Sequence, residues 1–198
     1  MIKINVLLLS RVLSNGEAVS EYCKNLSEYL LDRGDNVFLV GFNDGSEFDA
    51  KEGAQVKKVD VNFEAENIYD WAMIMNNEMK RVSREVFEQE GFDLVHVNDW
   101  VCLPSGITVS NFLDKPLVVT LHSTENERGF QAQHSAVISD MEWKGGYEAN
   151  RIIVNKEDTK NSLLFDLEVP EQKIDVINPF SPTWQEETRN IYLDEVNS

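Results

Sequence analysis

His122 is followed by Ser123, Thr124 and Glu125, and Asp99 stands between Asn98 and Trp100, with His96 just before. These are residue types that handle sugars and protons. An imidazole can donate a hydrogen bond to a substrate hydroxyl or transfer a proton near neutral pH. A carboxylate such as Asp99 can accept bonds from vicinal hydroxyls, while Trp100 can stack on a sugar ring or pack in a core. His96 lies inside an apolar run and reads first as a core histidine with its ring nitrogens satisfied. A zinc site from His96, Asp99, His122 and Glu125 lacks any short ligand spacing, so no metal is expected. The chain has no G-x-S-x-G elbow, no G-x-x-x-x-G-K-[ST] and no G-x-G-x-x-G, which removes the landmarks of serine hydrolysis and of two nucleotide cradles. Ser14-Asn15-Gly16 ahead of a helix could offer backbone donors to an anion, or serve as a plain turn.

The elements that must position these groups follow from apolar periodicity. Ile2–Leu9 reads as a strand buried on both faces. Glu17–Arg33 carries Val19, Tyr22, Cys23, Leu26 and Leu30 at helical spacing and ends at Gly34, where a C-cap glycine belongs. Asn36–Phe42 is a second strand, so the opening is strand, helix, strand with a right-handed crossover. Gln55–Val61 is a shorter strand, Asn67–Glu90 a long helix, Asp93–Asn98 a strand and Pro104–Leu113 a helix. Leu117–His122 is the next strand. A helix over Ser135–Ala149 is expected to be interrupted at Gly145-Gly146. Arg151–Val154, Glu157–Leu167 and Lys173–Asn178 read as strand, helix and strand. This alternation predicts an α/β, Rossmann-like three-layer sandwich with a mostly parallel sheet. Ligands of such sheets sit beyond the carboxyl ends of the strands. Ser10–Gly16, Asn98–Trp100, His122–Glu125 and Asn155–Lys156 therefore converge on one rim.

A net charge of −17 over 198 residues repels nucleic acid phosphate and anionic membrane surfaces, so neither is an expected partner. No apolar run approaches the ~20 residues of a spanning helix. The segment Met1–Ser10 lacks an extended basic region and a small-residue cleavage site, so a cytoplasmic location is expected. Cys23 and Cys102 are far apart and read as reduced, buried thiols. Residues 1–180 form the expected domain, and 181–198 read as linker and acidic tail, with one more helix available at Thr183–Val196.

His96-Val97-Asn98-Asp99-Trp100, Thr120-Leu121-His122-Ser123-Thr124-Glu125 and Arg128-Gly129 together resemble the N-terminal half of a retaining GT-B glycosyltransferase. So do Asp140-Met141-Glu142-Trp143, the run Tyr147–Val154 and Val169-Pro170-Glu171-Gln172-Lys173-Ile174-Asp175-Val176-Ile177. The likeness is to glycogen or starch synthases and related group 1 glycosyltransferases, over about residues 1–180. It implies transfer of a hexose from an ADP- or UDP-linked nucleotide sugar, as substrate, to a glucan or other hydroxyl acceptor, with no metal or other cofactor. It further implies catalytic roles for His122 and Asp99. His96, Trp100, Ser123, Thr124 and Glu125 become acceptor or sugar contacts, and Asn15 and Gly16 a donor-phosphate loop. Glu17 and Ala18 stand where the family carries Gly-Gly, Asn98 replaces the third residue of H-x-H-D-W, and Asn178-Pro179-Phe180 replaces Pro-Asn-Gly. Residues 183–198 cannot form a donor-binding domain, so that half is expected in cis or trans from elsewhere. The alternative is a non-catalytic carbohydrate-binding or regulatory half-enzyme.

Overall fold

The computed structural model describes residues 2–131 and 133–198. A parallel sheet of seven strands has the order β3-β2-β1-β4-β5-β6-β7. The strands are β1 (Asn5–Val12), β2 (Asn36–Phe42), β3 (Gln55–Val59), β4 (Leu94–Asn98), β5 (Leu117–Leu121), β6 (Arg151–Val154) and β7 (Ile174–Val176). The helices are α1 (Ala18–Asp32), α2 (Ile68–Gln89), α3 (Leu103–Leu113), α4 (Ser135–Glu148), α5 (Glu157–Phe165) and α6 (Trp184–Val196). This is the expected Rossmann-like architecture. Strand order reverses between β1 and β4, the point at which such sheets leave a crevice.

The first strand runs later than its apolar content suggests, over Asn5–Val12. Pairing with β2 sets it: Asn5 lies opposite Asn36 and Val12 opposite Phe42, with an irregularity between Ser10 and Val12. Alternate residues then feed two cores. Leu7 and Leu9 join α2, α3 and the helices beyond, while Val6 and Leu8 meet Tyr22, Cys23, Leu26 and Leu30 of α1. Asn67 caps α2 by accepting from the Asp70 N–H, which fixes the start of its buried face of Ala72, Met75, Met79, Val82 and Val86.

Helix α4 is continuous, contrary to the expected interruption. A Cβ on Gly145 would sit 2.5 Å from Leu103 Cδ1, and one on Gly146 2.6 Å from Val169 Cγ2. The two glycines let α4 approach its neighbours closely; they do not break it.

The segment expected as an acidic tail is part of the fold. Right-handed crossovers place α2, α3, α4 and α5 on one face of the sheet and only α1 on the other. Leu94, Val118 and Ile153 on that second face need another cover, and α6 supplies it with Trp184, Ile191 and Tyr192. Arg189 of α6 clasps the buried Asp35, Nε to Oδ2 at 2.6 Å and Nη2 to Oδ1 at 3.0 Å.

Candidate functional site

Three strand ends build the site. Leu121 pairs with Val154, so His122 and Asn155 leave the sheet side by side. Asp99 leaves β4 next to them. Its N–H donates to Thr120 O at 2.8 Å, and its Oδ1 accepts from the His122 N–H at 3.0 Å. Asp99 holds φ 61 and ψ 167, a region that costs a non-glycine residue about 1–3 kcal/mol. Strain of that kind persists where the surroundings enforce it, and here it splices two strand ends around a carboxylate.

His122 is half-buried. Its Nδ1 lies 2.8 Å from Asn155 Nδ2, and its Nε2 finds no hydrogen-bond partner among the described residues. The ring meets Tyr22 edge to face, with centroids 5.1 Å apart and planes at 83°. Tyr22 in turn stacks on Trp184 at 4.6 Å. These residues line a cleft of ≈ 670 Å³ together with Asn155, Asn178 and Phe180. Phe180 is 92% exposed. A mostly apolar cleft with a few convergent polar atoms is the usual form of a small-molecule site.

Other expected site residues serve the interior. His96 is fully buried, with Nδ1 on Tyr192 Oη and Nε2 on Thr120 Oγ1 at 2.8 Å. Burial, with a smaller contribution from His122, holds its pKa down at about 3. It is a neutral core histidine with no exposed surface. Trp100 packs in the core against the α2–α3 side, so it offers no open ring face. Thr124 is buried and shares a 2.7 Å hydrogen bond with Ser162.

Glu125 is likewise turned inward, accepting from Arg128 Nε at 2.9 Å and from Ser135 Oγ. The Glu125 N–H donates to Glu142 Oε2 at 2.8 Å, and Arg128 Nη2 reaches Glu142 Oε1 at 2.8 Å. Glu142 is fully buried. That burial outweighs the Glu125 N–H and Arg128 and pushes its carboxyl up to about 7. Ser123 is half-buried and accepts from Arg128 Nη1 at 2.7 Å. The network therefore braces the loop after His122 rather than lining the cleft.

The expected phosphate loop is occupied by the protein's own carboxylates. Gly16 N–H donates to Glu21 Oε1 at 2.9 Å, and Ser20 N–H to Glu17 Oε2 at 2.7 Å. Asn15 is tied to Asp49 through Nδ2 and Oδ1, both at 3.0 Å. An anion that takes the Gly16 or Ser20 amide would have to displace these carboxylates against their repulsion.

Tyr22, Trp184 and Phe180 were not singled out as site residues from sequence. Tyr22 shares the apolar stripe of α1 with core residues, and Trp184 reaches the cleft only because α6 folds back. Asn155 was visible only as one end of a strand rim. Among the described residues no group of three or more His, Cys, Asp and Glu could hold a metal ion, and no helix is long and apolar enough to cross a membrane.

Comparison with known proteins sets this geometry in context. The family described as Glycosyltransferase Family 4 matches residues 19–183. An uncharacterized glycosyltransferase of Methanocaldococcus jannaschii, MJ1607, is 28% identical over 181 residues, covering 89% of this chain and 45% of its own length. The chain thus spans less than half of that relative. Sucrose-phosphate synthase from Thermosynechococcus elongatus superposes with a TM-score of 0.73 at 13% identity, over 88% of this chain and 48% of that one. A form of the same enzyme designated 27_220_406_426 matches with a TM-score of 0.70 at 14% identity, over 98% of both chains. Anabaena HepE, solved with UDP and glucose, gives 0.61 at 15% identity, over 95% of this chain and 50% of that one.

Proposed function

Because the chain belongs to glycosyltransferase family 4, we propose that it is the acceptor-side domain of a GT-B glycosyltransferase. In this reading it helps move a hexose from an ADP- or UDP-linked sugar to a glucan or other hydroxyl acceptor, with retention of configuration and without a metal. A donor-binding domain, in cis or trans, closes the other side of the cleft. The observation that carries the proposal is His122, held at the end of β5 beside the strained Asp99, lining a largely apolar cleft with a buried, unpartnered Nε2. His122 contacts the transferred sugar, and Asp99 orients the loop that presents it while its carboxylate faces hydroxyls.

A second reading is a non-catalytic saccharide-binding half, favoured by the carboxylates of Glu17 and Glu21 at the start of α1. The 98% match to a solved form of similar extent supports a unit of this size folding by itself. One experiment separates the readings. The chain replaces the matching part of MJ1607, and transfer from UDP- and ADP-glucose to maltooligosaccharides is assayed with His122→Ala and Asp99→Ala controls. Transfer that depends on both residues supports the enzyme reading. Maltooligosaccharide binding without transfer supports the second, and folded protein with neither sinks both.

A further inference from the structure

We propose that Asn155 is a positioning residue that fixes His122 as its Nε2–H tautomer, so that the donor proton sits on the buried Nε2 of a residue that lines the cleft. This rests on the reading of the cleft as a saccharide site. An amide nitrogen can only donate, so Asn155 Nδ2, at 2.8 Å, requires a lone pair on His122 Nδ1. A neutral imidazole then carries its proton on Nε2. Three other contacts hold the ring and its backbone still. Leu121 pairs with Val154, Asp99 Oδ1 accepts the His122 N–H at 3.0 Å, and Tyr22 packs edge to face at 5.1 Å.

The same pair also selects a ligand class. Asn155 Oδ1 has no hydrogen-bond partner among the described residues, like His122 Nε2, and both residues line one cleft. Both atoms are closed from solvent in this structure, so a ligand gains this N–H donor and carbonyl acceptor where it displaces the groups that cover them. A hydroxyl group can accept from the first and donate to the second. A phosphate or carboxylate oxygen can only accept, and leaves Oδ1 unpaired. By itself the pair suits a neutral hydroxyl better than an anion, while Lys156 lines the same cleft with its Nζ 2.9 Å from Glu127 Oε1.

The test reads the tautomer directly. The chain is labelled with ¹⁵N-histidine, and long-range ¹H–¹⁵N spectra are recorded where the imidazoles are neutral. His122 signals are identified by their loss in His122→Gln. The expected wild-type pattern has the proton on Nε2. Asn155→Asp, close in shape but able only to accept, is expected to move it to Nδ1. A wild-type His122 protonated on Nδ1, or a folded Asn155→Asp variant that keeps Nε2–H, overturns the proposal. The wild-type spectrum decides alone if the variant fails to fold. Maltotriose is then titrated in. It is expected to shift His122 Nε2 in the wild type and to bind about two- to tenfold more weakly to Asn155→Asp, the loss of one hydrogen bond. The predicted tautomer with no response to maltotriose upholds the role of Asn155 and refutes the glucan reading alone.

Discussion

Replacing Arg189 by Met should reveal how firmly α6 belongs to this domain. The guanidinium makes three hydrogen bonds, to Asp35 Oδ2 at 2.6 Å, Asp35 Oδ1 at 3.0 Å and Ile2 O at 2.9 Å. The Asp35 side chain is fully buried and that of Arg189 is 9% exposed. After the change, Asp35 keeps only the Ile4 N–H, at 3.1 Å. Breaking a buried pair from one side typically costs about 3–5 kcal/mol, because the remaining charge stays desolvated. For a domain of this length each kcal/mol lowers Tm by about 2–4 °C, so a fall of roughly 6–20 °C is expected. Thermal and urea melts followed by tryptophan fluorescence measure the fall in Tm and the free energy, since Trp184 lies on the same helix. The double variant Asp35→Asn/Arg189→Met should regain a large part of the loss by removing the stranded charge. A cost below about 1 kcal/mol for Arg189→Met, within the range of exposed pairs, would refute the view of α6 as an integral layer.

Three further outcomes follow from the interior and the rim. Glu142 has a folded-state pKa of about 7, above its ordinary 4.5, so its contribution to stability is full below pH 4.5 and is lost as the pH rises to about 7. His96 runs the opposite way: held at about 3 against 6.5, its contribution is full above pH 6.5 and is lost as the pH falls toward 3. Between these ranges the two slopes oppose each other, so Glu142→Gln should unmask a loss of up to about 1.4 kcal/mol per unit as pH drops from 6.5; urea melts across that range showing no steepening would contradict the assignment. Gly145→Ala should destabilise by about 1–3 kcal/mol despite alanine's helix propensity, since its Cβ would meet Leu103 at 2.5 Å; a stabilised variant in the same melts would show that Leu103 yields freely. Glu17→Gly/Glu21→Gln should free the first amides of α1, so that UDP shifts the Gly16–Ser20 amide resonances in the variant more than in the wild type; equal shifts in both would mean the carboxylates do not guard the loop.

The sheet was readable because parallel strands buried on both faces are short continuous apolar runs. Asn36–Phe42 and Arg151–Val154 have the ends that the structure gives them. Where a strand end is set by a partner rather than by its own residues, as in β1, the reading slipped. The role of Gly145 and Gly146 was hidden because their reason lies in Leu103 and Val169, which no local pattern connects to them. Within the site, position along the strands placed Asp99, His122 and Asn155 on one rim. It could not separate the half-buried His122 from Glu125, three residues on, whose carboxylate turns inward to Arg128. That choice depends on Glu142, which lies on another element and becomes visible only once α4 is packed.

The two sides of the rim now carry opposite electrostatic messages. At the start of α1, the Gly16 and Ser20 N–H groups are taken by Glu21 and Glu17, in a chain of net charge −17. At the ends of β5 and β6, His122 Nε2 and Asn155 Oδ1 are buried without a hydrogen-bond partner among the described residues, on side chains that line an apolar cleft. A hydroxyl that reaches them gains hydrogen bonds without displacing a carboxylate, whereas a pyrophosphate that takes the Gly16 and Ser20 amides must do so. The cost falls on the anionic part of a nucleotide sugar and spares the sugar part.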